Sequence, residues 1–243
     1  MFVNPANAVG FVFIAAIVCL KFFVGHADYS FTLPGLRIQL PIGQAASVIT
    51  WGLLAWYFME LIHITMFEDN ELPVVEFGGG FAFFGIVIKS IYFFVVAIII
   101  VELPFLILIG ILEAAPFKLP ELVRLLLLVV GMFAFPMAIL TLAAGRQIYM
   151  VFWPPYIVGP ITKAFRPYFV SAALVMAAGL FNINTVDYGS LLGRSKVVVG
   201  MHLLINFGSI AFTMIAMRSI GLFCRHYSCF LPQVTEPFQD VKA

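Results

Sequence analysis

The 243-residue chain is 63% hydrophobic and 10% charged, with a formal net charge of +1 and a mean hydropathy of +1.09. Soluble domains average about 25% charged residues, so the composition excludes a soluble globular protein. It also excludes a basic nucleic-acid surface and predicts an all-α, polytopic integral membrane protein. The three cysteines, Cys19, Cys224 and Cys229, are too few for a disulfide framework.

The amino terminus has no basic leader and no small-residue cleavage site, so it reads as a retained first span over 8–24, begun by Pro5 and Asn7. Lys21 is then expected to snorkel to the interface. The connection Ala27 to Ile42 alternates apolar and polar residues around Pro34-Gly35, the pattern of a short extramembrane β-hairpin. A second span over 45–67 ends in Glu60, His63, Glu68, Asp69 and Glu71. Glu60 and His63 share one helix face, which is half of a carboxylate-bridged metal site, but the chain has no second Glu-x-x-His. No metal site is predicted. An acidic loop ending in Gly78-Gly79-Gly80 leads onward as a hinge.

The third span, 81–112, is apolar apart from Lys89, Ser90, Tyr92 and Glu102. As one helix it is about 48 Å long against about 30 Å of hydrocarbon, so a tilt or a kink near Pro104 is expected. Glu102 next to Pro104 reads as the place where the span ends or bends. Lys89 and Glu102 cannot pair within the helix, because thirteen residues separate them by about 20 Å and roughly 220°.

A fourth span covers 122–144 and contains Gly131 and Pro136. The segment that follows places Tyr149, Trp153, Tyr156 and Tyr168 beside Arg146, Lys163 and Arg166, which predicts an interfacial amphipathic helix before a fifth span over 168–181. The last span, 197–223, carries His202, Asn206, Ser209 and Thr213 as helix-contact residues. Residues 224–243 read as a polar tail. Six spans put both termini on one side, and Arg146, Lys163, Arg166, Arg218, Arg225 and Lys242 there balance Lys21, Arg37, Lys118, Arg124, Arg194 and Lys196 opposite. The positive-inside rule therefore selects no orientation.

The run from Arg146 through Pro160 to Tyr168, with Phe135-Pro136-Met137-Ala138, Met217-Arg218-Ser219-Ile220-Gly221-Leu222 and Arg225-His226-Tyr227, resembles an uncharacterised bacterial polytopic membrane domain distantly similar to Yip-type membrane proteins. The resemblance covers the second half of the chain and the acidic loop before the third span. It implies a helical membrane domain with cytoplasmic termini, and it carries no catalytic residues. The Pro-Gly hairpin of the first third has no counterpart in that pattern.

The sequence has no Ser-His-Asp order, phosphate loop or carboxylate cluster, and no internal repeat of the kind transporters use. The expectation is a non-catalytic, multi-pass subunit or scaffold of a larger membrane complex, in the bacterial inner membrane, with lipids and other membrane subunits as partners and no nucleic acid. The intramembrane candidates for contact are Glu60, His63, Lys89, Glu102, His202 and Asn206; Arg146, Lys163, Arg166, Arg218 and Arg225 are interfacial. No cofactor is predicted. The alternatives are a transporter or lipid-handling protein using Glu102, and a haem- or pigment-binding subunit using His63 or His202.

Overall fold

Apolar stretches of 17 to 34 residues can satisfy their backbones without water only by closing hydrogen bonds within each stretch, and here they do so as helices. The computed structural model describes residues 7–24, 29–33, 36–40, 42–67, 72–73, 81–114, 120–145, 151 and 154–227. Glu68, Asp69, Glu71, Gly78, Gly79, Gly80, Arg146, Tyr149, Trp153 and Cys229 lie outside the described residues.

In chain order the elements are α1 (Ala8–Val24), β1 (Tyr29–Leu33), β2 (Leu36–Leu40), α2 (Ile42–Met66), α3 (Phe81–Ala114), α4 (Glu121–Gly145), α5 (Pro154–Lys163), α6 (Phe165–Ile183) and α7 (Lys196–Tyr227). Among the described residues, five helices are long and apolar enough to cross a membrane: α2, Val87–Glu113 of α3, Glu121–Ala144 of α4, α6 and α7. Helix α1, at 17 residues, is about 25 Å long. The strands β1 and β2 pair antiparallel, from Tyr29 opposite Leu40 to Leu33 opposite Leu36.

Helix α3 continues from Phe81 to Ala114 with Pro104 inside it, so Glu102-Leu103-Pro104 does not end the span. Proline removes one N–H, and ending the helix in apolar surroundings would strand several more backbone groups. At the carboxyl end, α7 runs to Tyr227 and buries Cys224, so the first four residues of the expected tail are helix.

The helices form two compact units: Met1–Phe58, Asn70–Ile91 and Ala178–Ile215 make one, and Met59–Asp69, Tyr92–Ala177 and Ala216–Ala243 make the other. In the first unit, α1 buries Gly10, Ile14, Ile17, Val18, Lys21 and Phe22 at helical spacing. Gly10 admits the Tyr57 hydroxyl, which lies 2.9 Å from where a Cβ would stand, and Phe13 meets Trp56 edge-on. Gly52 of α2 receives Val87 and Ile91 of α3 in the same way. Asn7, at the head of α1, accepts the Leu72 N–H through its Oδ1 at 2.7 Å.

The second unit is built around α4. Pro120 opens the helix, accepting the Val123 and Arg124 N–H groups, and Glu121 suits the positive helix start. From Phe135 to Ala143 every residue is buried. Helix α5 packs on α4, with Pro160 and the following Ala164 buried. The Ala164 N–H donates to the Pro160 carbonyl and the Tyr168 N–H to the Ala164 carbonyl, so the helical bonding carries across the junction into α6. Helical bonding thus runs on from 154–163 into 165–183, although Pro160 and Pro167 each lack an N–H to contribute to it.

Candidate functional site: a carboxyl between α3 and α4

Helix α3 turns one narrow face inward, with Val87, Ser90, Phe93, Ala97, Val101, Glu102 and Ile109 buried at steps of three and four or beside them. Residues between them, from Ile88 and Val95 to Leu106 and Ile111, are exposed. Glu102 therefore belongs to the packed face and not to the outer one. It is 9% exposed, and neither carboxyl oxygen has a hydrogen-bond partner among the described residues.

The residue opposite is Gly131 of α4. A Cβ there would stand 2.9 Å from both Glu102 oxygens, so the carboxyl occupies space that a side chain would fill. Gly131 and Phe135 are one helical turn apart on the same face, and Phe94 meets Phe135 at 6.2 Å between ring centroids. These contacts fix the antiparallel register of α3 against α4. The face of α4 roughly 200° away, bearing Phe133 and Met137, receives α6: Tyr168 packs edge-on against Phe133 and donates to its carbonyl at 2.5 Å.

Other candidates serve as ties. Asn206 is buried and donates its amide to the carbonyls of Val186 and His202, at 3.1 and 3.0 Å, joining α7 to the turn before it. His202, half-buried, takes part through that backbone carbonyl. His63 lies against Phe67 with ring centroids 4.9 Å apart, and Glu60, also half-buried, is on the same helix. Lys89 is exposed on α3. Lys163 and Arg166, both exposed, flank the α5–α6 junction, while Arg218 and Arg225 are partly buried on α7. Among the described residues, no three His, Cys, Asp or Glu side chains gather as a metal site.

Two features run against the sequence expectation. Lys21 does not snorkel outward: it is 8% exposed, its ammonium donates to Asn182 Oδ1 at 3.2 Å, and it sits 4.6 Å from the centre of the Trp51 ring. An internal acceptor and an aromatic face substitute for water. Tyr168 is fully buried rather than exposed, and its hydroxyl donates to the Phe133 carbonyl. Sequence reasoning missed Asn182 and Gly131 as partners; only a tertiary register identifies them.

Compared with known proteins, the chain matches no family model, no curated protein and no solved structure.

Proposed function

We propose that the protein is a non-catalytic, multi-pass integral membrane subunit or scaffold, crossing the bilayer six times with α1 as the short first span and the α5–α6 path as the fifth. One observation carries the reading. The longest and most apolar helix, α3, is the least covered: 22% of its crossing window is buried, against 50% for α4 beside it. Meanwhile Asn7, Lys21, Tyr168, Ser171 and Asn206 are engaged in internal ties. A chain whose polar side chains hold helices together, and whose longest helix presents an apolar face, is suited to packing beside other membrane helices and lipid. The hairpin of β1 and β2 lies outside the bilayer in this reading. The Yip-type resemblance of the second half accords with such a module, and the bacterial inner membrane is its proposed location.

Photo-crosslinking residues placed at Ile99, Leu103 and Leu106, all exposed on α3, test the role. Crosslinks to one other polypeptide of defined mass support a subunit; crosslinks confined to lipid contradict it. A transporter is the second reading, favoured by the buried Glu102 carboxyl. Unchanged flux after Glu102→Gln in reconstituted vesicles would remove it.

A further inference from the structure

We propose that Glu102 is a proton-binding site inside the membrane: its carboxyl, seated against Gly131, is carried as the neutral acid and reacts there with a membrane-soluble carbodiimide. The inference rests on α3 and α4 crossing the bilayer and not on the subunit role.

Geometry carries it. Both oxygens are buried and lack hydrogen-bond partners among the described residues, and Glu102 lies in the interior of a 34-residue helix, whose amides there bond within the helix. Among the described residues a bare carboxylate there has no hydrogen-bond donor to replace its hydration, whereas a neutral acid loses far less on burial. Among the described residues of α3 and α4, the charged groups are remote or turned elsewhere. On α3, Lys89 is about 20 Å away along the axis and Glu113 about 16 Å away on the other side. On α4, Arg124 stands 3.9 Å from Glu113 at the exposed end of the helix pair, about one helical turn after Glu121. The remaining titratable groups of the same unit whose side chains are described are Glu60 and His63 on α2, Tyr92 on α3, Lys163 on α5, Arg166 and Tyr168 on α6, and Arg218, Cys224, Arg225, His226 and Tyr227 on α7. Tyr168 reaches α4 through a hydrogen bond to Phe133, on the opposite face from Gly131.

The chemistry requires the acid. The carboxyl proton passes to one carbodiimide nitrogen, and the carboxyl oxygen bonds to the central carbon as one C=N bond becomes single. The resulting O-acylisourea rearranges by acyl transfer to nitrogen, giving a stable N-acylurea with no oxidation or reduction.

The test uses the full chain in phosphatidylcholine vesicles, treated with dicyclohexylcarbodiimide and mapped by peptide mass. The expected result is an adduct on Glu102 that forms more slowly as the pH is raised, with that adduct lost in Glu102→Gln. A charged, water-soluble carbodiimide is expected to label the half-exposed Glu113 and to spare Glu102. The infrared spectrum of the wild type minus that of Glu102→Gln gives a second readout and is expected to contain a protonated-carboxyl C=O band. Failure to label Glu102, equal labelling of Glu102 by the water-soluble reagent, or a carboxylate band in its place would overturn the proposal. Failure of the membrane reading itself shows separately, as protein that does not float with the vesicles.

Discussion

The Tyr168 hydroxyl donates to the Phe133 carbonyl at 2.5 Å, fastening the start of α6 to the middle of α4. Around this bond the Phe133, Phe165 and Phe169 rings and, from α7, Phe223 complete an aromatic cluster. Tyr168→Phe removes only the hydrogen bond and should cost about 1 kcal/mol. Tyr168→Ala also empties the cluster and should cost about 3 to 5 kcal/mol. Unfolding in mixed micelles, followed by Trp fluorescence, measures both; equal losses for the two variants would show that packing contributes nothing there.

Close helix approach predicts an ordering among glycines. A Cβ at Gly221 would meet Thr65 Cβ at 2.6 Å and the Ile62 backbone carbonyl at 2.9 Å, and the carbonyl cannot rotate away. Gly221→Ala should therefore destabilise by about 1 to 3 kcal/mol. Gly52→Ala meets side-chain atoms alone, Ile91 Cδ1 and Cγ1 and Val87 Cγ1, with no backbone carbonyl in the way, and should cost less. Gly208→Ala, on α7 with nothing within 4 Å, should be neutral or slightly stabilising. The thermal stabilities of the three variants test this order.

How much of this was legible in the sequence depended on the scale of the feature. The helices were, because runs as apolar as 81–114 or 121–145 admit no other backbone solution, and their expected and observed ends differ by a few residues. Their inward faces were not. A helix apolar on nearly all sides has almost no polar stripe to mark its exposed face, so nothing in α3 announced that Glu102 faces inward while Lys89 is exposed. Lys21 was misread for the same reason: its acceptor, Asn182, lies 161 positions away. Tyr168 combines the two difficulties, sitting among basic and aromatic residues that resemble a headgroup belt while its hydroxyl is committed to another helix.

The Lys21–Asn182 bond predicts a measurable coupling. Replacing either partner leaves the other buried or half-buried without it, so Lys21→Met and Asn182→Leu should each destabilise. The double variant should lose less than their sum. Hydrogen bonds between membrane helices suggest a coupling of about 1 kcal/mol in the double-mutant cycle. Additive losses would show that Asn182 does not hold the ammonium.

Asn7 ties the head of α1 to Leu72 through a buried bond of 2.7 Å. Asn7→Ala leaves the Leu72 N–H without that acceptor and should cost about 1 to 3 kcal/mol. Asn7→Asp retains an acceptor and should retain more of the stability than Asn7→Ala; a loss as large as that of Asn7→Ala would contradict this role for the side chain.

The subunit reading is tested most directly by native mass determination after purification in a gentle detergent. The account predicts a particle containing this chain and at least one other polypeptide in fixed stoichiometry, retained through size exclusion. A stable monomer carrying only lipid and detergent would contradict it.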